Sequence, residues 1–107
     1  MAAALDSWHD IIRSGDASAL DTLIADDAVF HSPVVHTPQV GKAIVVKYLT
    51  AAAKVLLNGS FHYVREMVDE RQAMLEFEVT IDDIVINGVD HICWNDNNQI
   101  IEFKVWV

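Results

Sequence analysis

Hydrophobic and polar residues alternate along the last third of the chain, from Gln72 to Val107. A period of two residues is typical of strands that bury one face, so this segment predicts an antiparallel meander. The pairs Asp82-Asp83 and Asp96-Asn97 are expected to form tight turns between its strands. Four strands are predicted, at Phe61 to Val68, Ala73 to Ile81, Ile84 to Trp94 and Gln99 to Val107.

The first half of the chain shows helical spacing instead. Apolar residues recur every three or four positions from Ala2 to Ser14, where Leu5, Trp8 and Ile12 form one stripe that stops at Gly15. A longer helix begins at Gly41 and ends at Asn58-Gly59. Between them, Asp16 or Ser18 can cap a short second helix that carries Leu20, Leu23 and Ile24.

One early strand completes the pattern. It runs from Ala28 to Ser32 and ends at Pro33, because proline cannot donate a hydrogen bond to a neighbouring strand. Residues 32–40 then read as an irregular loop. We therefore predict an α+β fold, with three N-terminal helices packed on a curved, mainly antiparallel sheet, in a single domain spanning residues 1–107.

Asp90 is the ionisable residue that interrupts the apolar face of the meander. With two tight turns, the register places Leu75, Asp90 and Phe103 side by side. A carboxyl group between these side chains is costly to ionise, so it either has a partner or keeps its proton. Two interpretations stay open: an acid that transfers a proton inside a pocket, and a structural aspartate bonded to backbone or tryptophan N–H groups.

Glu66 and His62 are further candidates for catalysis. A turn at Glu70-Arg71 places His62, Val64 and Glu66 on the inner face, with Glu66 opposite Leu75 and about 9.6 Å, two strand spacings, from Asp90. That separation suits an acid and a base on either side of a small substrate. Three alternatives stay open. Glu66 could lie in water at the open end of the fold, and His62 could be a structural residue. A bulge in this strand could also exchange its inner and outer side chains.

The outer face of the sheet is unusually apolar. A patch of this kind typically marks an interface, and we expect a homodimer. On the same face, a salt bridge between His91 and Glu102 explains His91 better than a nucleophilic pair with Cys93. The apolar residues are Met74, Val85, Val89, Cys93, Ile100 and Trp106.

Charge and composition exclude several classes of function. The net charge of −9, with only 7 scattered Lys and Arg residues, disfavours nucleic acid and acidic membrane surfaces as partners. No apolar run is long enough to cross a bilayer, and Met1 to Leu5 lacks the features of a secretory signal. The single cysteine fits a reducing compartment, so we expect a cytoplasmic protein. His31 and His36 lack a metal-binding spacing, and we predict neither a metal nor a cofactor.

Several segments together suggest a family. They are Ser14-Gly15-Asp16, Leu23 to Phe30, Ser32-Pro33 and Gly41 in the first half, then Leu75 to Glu78, Gly88 to Ile92 and Trp94 to Asp96. Over nearly the whole chain, this pattern resembles the nuclear transport factor 2 superfamily, in particular its SnoaL-like and ketosteroid-isomerase-like branches. The resemblance implies a cystatin-like, cone-shaped barrel with a pocket between sheet and helices, usually assembled as a dimer.

The resemblance also implies roles for individual residues. The isomerases have a general-base aspartate before the proline that closes the first strand, and Ser32 stands there in this chain. Their oxyanion-hole tyrosine in the first helix corresponds to Trp8, and their protonated aspartate in the penultimate strand corresponds to Asp90. Tyr48 matches a pocket-lining aromatic residue. Because serine is no base at neutral pH and indole is a weaker donor, steroid isomerisation as the family performs it does not carry over.

We therefore predict a protein that binds a small apolar or polyketide-like molecule. As an enzyme it would be a cofactor-free isomerase, cyclase or dehydratase, with Asp90 as proton donor or oxyanion stabiliser, assisted by Glu66, His62 or Tyr48. The alternative is a non-catalytic ligand-binding or dimerisation module. The predicted substrate-binding residues are Trp8, Ser32, Tyr48, Leu75, Phe77, Ile92 and Phe103.

Overall fold

The computed structural model describes residues 3–107, so the predicted helix start at Ala2 lies outside the described residues. Helix α1 spans Ala3–Ser14 and buries Leu5, Trp8 and Ile11. Ile12, predicted on this stripe, is only partly buried against the core. Gly15 ends the helix with φ of 74°, and its N–H donates to the carbonyl of Ile11 at 2.8 Å.

The second helix is shorter than predicted. Asp16 caps a 3-10 turn, Ala17–Ala19, by accepting a hydrogen bond from the N–H of Ser18 at 3.0 Å. Helix α2 follows at Leu20–Leu23. Ile24 does not belong to it, because Ile24 pairs with Ile100 and begins strand β1 (Ile24–His31).

The loop after β1 is also more regular than predicted. Gln39–Val40 forms a short strand, β2, which pairs antiparallel with β1. Helix α3 then spans Lys42–Leu56. The remaining strands are β3 (His62–Asp69), β4 (Gln72–Ile81), β5 (Ile84–Trp94) and β6 (Ile100–Trp106).

The strands form one mixed sheet in the order β2-β1-β6-β5-β4-β3. The pair β1–β6 is parallel, and the other neighbouring pairs are antiparallel. Within residues 3–107 the sheet is open, with β2 and β3 at its edges. The predicted α+β class, with three helices on a mainly antiparallel sheet, is confirmed.

The hydrophobic core lies between the helices and one face of this sheet. Gly88 permits an especially close approach there, because a Cβ at this position would lie 2.5 Å from Cζ of Phe77 and 2.6 Å from the carbonyl oxygen of Trp106. Phe77, which pairs with Gly88, also stacks on Phe61 with 5.1 Å between ring centroids. Only glycine fits beneath this ring.

The β4–β5 register is as predicted, with Leu75 opposite Asp90, but the β5–β6 register differs by two residues. Asp90 pairs with Val105, so the predicted place of Phe103 beside Asp90 was wrong. The connection is longer than a two-residue turn: the side chain of Asn95 accepts hydrogen bonds from the N–H groups of Asn97 and Gln99, each at 3.0 Å. A shift of two leaves Phe103 on the inner face.

An irregularity next to this loop changes two further positions. The pairs Trp94–Ile100 and Cys93–Glu102 leave Ile101 as an extra residue on β6. Ile100 is consequently fully buried, and its predicted place on the outer face was wrong. His91 pairs with Lys104 rather than with Glu102.

Candidate active site

Among residues 3–107, the one buried charged residue is Asp90, with 6% of its surface exposed. It lies on β5 between Leu75 of β4 and Val105 of β6. Its side chain contributes to the wall of a cavity of about 50 Å³ between the sheet and the helices. The other residues of this wall are hydrophobic, and they include Trp8, Ile11, Phe30, Leu49, Leu56, Phe61 and Phe103.

A chain of hydrogen bonds connects Asp90 to two aromatic side chains. The hydroxyl of Tyr63 donates to Oδ2 of Asp90 at 2.6 Å, and Nε1 of Trp8 donates to that hydroxyl at 2.9 Å. Trp8 also packs edge-on against Phe103, with ring centroids 4.9 Å apart. The indole N–H and the phenol hydroxyl therefore have partners in an otherwise apolar region.

Burial controls the protonation of this pair. It raises the pKa of Asp90 from 3.8 to about 7, against the opposing effect of the hydrogen bond from Tyr63. Burial, and then the neighbouring Asp90 charge, raise the pKa of Tyr63 well above its ordinary value. Near neutral pH Asp90 thus exists in both protonation states while Tyr63 keeps its proton. A carboxyl group of this kind can both accept and return a proton.

The predicted substrate-binding residues divide into two groups. Trp8 and Phe103 line the cavity. Tyr48 lies behind Phe30 and stacks on it at 5.6 Å between centroids, and Ser32 lies in the loop after β1, where its hydroxyl accepts from the N–H of Val34 at 3.2 Å. The structure therefore does not bring Tyr48 or Ser32 to the cavity wall. Leu75, Phe77 and Ile92 do not line the cavity either, because they are buried in the packed interior.

A bulge in β3 overturns the predicted orientation of His62. Tyr63 pairs with Phe77 and Arg65 with Glu76, so Val64 is an extra residue between these pairs. Tyr63 consequently points inward, and His62 points to the outer face, where Nε2 lies 3.9 Å from Oε1 of Glu78. His62 is therefore not in the candidate site.

Glu66 keeps its predicted register but lies outside the cavity. It pairs with Leu75, yet its side chain is 38% exposed and its Oε1 lies 2.9 Å from Nε2 of His9. That nitrogen makes no aligned hydrogen bond, so Glu66 and His9 are close in distance without being hydrogen-bonded. The expected acid–base pair with Asp90 is not assembled, since Tyr63 holds the inward position beside Asp90 instead.

Tyr63 is the component of the site that sequence reasoning missed. Its inward direction depends on the bulge at Val64, which interrupts strand alternation. The available signal was the spacing of Phe61 and Tyr63, two aromatic residues on one side of a strand. Two aromatic residues in this spacing fit a buried face better than His62 and Val64 do.

The outer face carries exposed apolar side chains, including Val85 at 65% and Trp106 at 48% exposure. Burial and the nearby negative charge of Glu102 raise the pKa of the Cys93 thiol, which keeps it in its unreactive protonated form.

Within residues 3–107, no group of three or more His, Cys, Asp and Glu side chains is arranged to hold a metal ion. No helix of the same residues has the length and apolar character needed to cross a bilayer.

The described residues form three helices on an open mixed sheet, and one acid faces the apolar cavity between them. The chain belongs to the SnoaL-like domain family, whose model matches residues 5–103. No curated protein sequence matches it.

Several solved structures share this fold. A steroid delta-isomerase from Pseudomonas aeruginosa is 34% identical with a TM-score of 0.91, covering 98% of this chain and 77% of that one. An uncharacterised protein with a cystatin-like fold from Silicibacter pomeroyi is 26% identical with a TM-score of 0.88, covering 99% and 74%. A putative polyketide cyclase from Sinorhizobium meliloti is 18% identical with a TM-score of 0.73, covering 95% and 92%, and supports the fold alone.

Proposed function

We propose that this protein is a cofactor-free acid/base isomerase of a small apolar carbonyl compound, with Asp90 as the proton carrier. The observation that carries the proposal is the position of Asp90: it is the ionisable group in the wall of an apolar cavity and has a pKa of about 7. General acid–base catalysis is most efficient when the pKa of the catalytic group lies near the working pH.

A single carboxyl group suffices for moving a double bond. Ionised Asp90 accepts a proton from a carbon beside the carbonyl group, and the resulting acid returns this proton to another carbon of the same intermediate. Atoms and charges balance without another reactant. Tyr63 acts as a positioning residue, because its hydroxyl holds Oδ2 of Asp90 at 2.6 Å and is itself held by Trp8.

The isomerase is favoured over the cyclase and dehydratase interpretations. Of the two similar structures that are named by an activity, the steroid delta-isomerase has the higher identity, 34% against 18% for the putative polyketide cyclase. A polyketide-like substrate also carries many oxygens, whereas this wall offers Asp90 as its one acidic group and is otherwise hydrophobic. Burying unpaired polar groups of a ligand is unfavourable.

The test is conversion of cyclohex-3-enone into cyclohex-2-enone, followed by the ultraviolet absorbance of the conjugated product. Wild type and the exposed-site control Asp69→Asn should give equal rates, and Asp90→Asn should lose turnover. Turnover that survives in Asp90→Asn would exclude Asp90 as the proton carrier.

The alternative is a non-catalytic ligand-binding module, favoured by one observation: no second ionisable side chain among the described residues lines the cavity. Cyclohexanone, which cannot isomerise, separates the two. Binding that is equal in wild type and Asp90→Asn, without turnover of cyclohex-3-enone by either, assigns a binding role.

We also propose that the chain forms a homodimer through the outer face of the sheet. The exposed apolar side chains Met74, Val85 and Trp106 support this proposal, because large apolar patches are rare on monomers. Wild type should sediment as a dimer, and a monomeric wild type would remove the proposal.

A further inference from the structure

The cavity beside Asp90 is too small for the ligands that its chemistry suits. Its volume is about 50 Å³. A buried apolar cavity of about 150 Å³ accommodates benzene, and ligand sites usually measure roughly 300–1,000 Å³. A ring-sized molecule therefore reaches Asp90 only when part of the wall moves.

The second half of α3 is the part of the wall with the weakest attachment. Leu49 is the last buried residue of this helix, and Ala52, Ala53 and Leu56, which line the cavity, are only partly buried. The other walls are better fixed. Phe103 lies on a strand paired on both sides, and Trp8 is bonded to Tyr63. Segments with few buried contacts open most easily.

A cluster of side-chain hydrogen bonds fastens the end of α3 to the sheet. Nδ2 of Asn58 donates to the carbonyl of Thr80 at 2.8 Å, and the N–H of Thr80 donates to Oγ of Ser60 at 2.9 Å. Oδ1 of Asn58 accepts from the N–H and hydroxyl of Ser60, at 2.9 and 2.6 Å. Strand β3 starts at His62, opposite Glu78, so this cluster takes the place of strand pairing at Thr80.

We propose that the end of α3 from Ala52 to Leu56, with the following residue Leu57, is the gate of the cavity and that Asn58 is the latch that keeps it closed. Opening separates this segment from Phe61, which lines the wall on the far side of the Asn58–Ser60 turn. Asn58 thereby determines which ligands enter. This inference rests on the proposed function only in taking the same cavity as the ligand site.

The test measures how fast 2-naphthol enters and leaves. This uncharged probe has one hydroxyl and an apolar double ring, and its binding beside Trp8 is followed by tryptophan fluorescence in stopped flow. Asn58→Ala removes the latch. Asn87→Ala is the matched control, because its Nδ2 also donates to a backbone carbonyl, that of Phe77 at 3.0 Å, and its other partner, Glu76, likewise lies on β4 and not on α3.

A weakened latch raises the population of the open form. Loss of about one net hydrogen bond should accelerate entry and exit alike in Asn58→Ala, by roughly two- to tenfold, while Kd stays constant. A purely structural loss would weaken binding without accelerating entry. Rates in Asn58→Ala equal to those of wild type and Asn87→Ala would overturn the proposal.

Two further outcomes are informative. If no variant binds 2-naphthol, the gate does not open for a ring-sized ligand and the proposal is wrong. If Asn58→Ala accelerates exchange but cyclohex-3-enone shows no turnover that depends on Asp90, the gate stands and the isomerase function falls. Should Asn58→Ala fail to fold, Ser60→Ala removes the other half of the latch, and the same rates decide.

Discussion

Asp90→Asn should change the stability of the protein in a pH-dependent way, because Asp90 binds its proton more tightly in the folded protein than in the unfolded chain. The folded-state pKa is about 7, against an ordinary value of 3.8. Since this pKa is raised, the contribution of Asp90 to stability is largest below the unfolded value and is lost as pH rises through about 7.

The magnitude follows from the size of this difference. Each pKa unit corresponds to about 1.4 kcal/mol, so the full change for Asp90 is about 4 kcal/mol, of which about 3 kcal/mol falls between pH 5 and pH 8. Asparagine does not titrate and still accepts a hydrogen bond from Tyr63. Its buried N–H group lacks a matching acceptor, but so does the O–H of protonated Asp90, so this cost is shared and changes little with pH.

Urea denaturation of wild type and Asp90→Asn across this pH range measures the effect. Wild type should lose about 3 kcal/mol of stability relative to Asp90→Asn between pH 5 and pH 8. Other titrating groups contribute equally to both proteins and cancel in the difference. Asp69→Asn, at an exposed position, should follow wild type throughout.

A difference in stability that stays constant with pH would refute this reasoning. A difference that moves in favour of wild type as pH rises would show that the folded protein prefers ionised Asp90. The cavity would then be wetter or more cationic than the structure indicates, and the proton-carrier role would have to be withdrawn.

Three further predictions test the surroundings of the site. Tyr63→Phe should raise the pKa of Asp90 further by removing its hydrogen-bond donor, as measured by carbon NMR of the carboxyl group, whereas Tyr48→Phe should leave it unchanged. Gly88→Ala should lower the free energy of unfolding by about 1–3 kcal/mol or more, because its Cβ would lie 2.5 Å from an aromatic carbon. Trp106→Glu should shift the sedimentation coefficient toward monomer, and an unchanged dimer would place the interface elsewhere.

The β4–β5 hairpin shows how far alternation alone can predict a fold. Asp82 and Asp83 both adopt positive φ, 50° and 67°, as a two-residue turn of the favoured type requires. A turn of that length fixes every pair beyond it, which is why Leu75 was correctly predicted opposite Asp90. Here local residues determine a long-range register.

The β5–β6 connection and β3 show where that reasoning fails. Alternation reports which face a residue occupies, but an extra residue at Ile101 or Val64 reverses it from that point on. Neither Ile101 nor Val64 has a chemistry that marks it as the extra residue of a bulge. They result from three-dimensional packing that the sequence pattern does not record.

Asp90 and Tyr63, the two polar partners in the candidate site, differ in how far the sequence predicts them, and the reason is again the bulge. Asp90 was identifiable because a carboxyl group on an apolar face is a chemical exception, visible without coordinates. Tyr63 is an ordinary strand residue until the bulge turns it toward Asp90, and only then does its hydroxyl acquire a role. The burial that raises the pKa of Asp90 thus follows from the strand pattern of the sequence. The hydrogen bond from Tyr63 that limits this rise depends on the bulge in β3. A relative that kept the aspartate but lost the bulge would keep the buried acid without the donor that positions it.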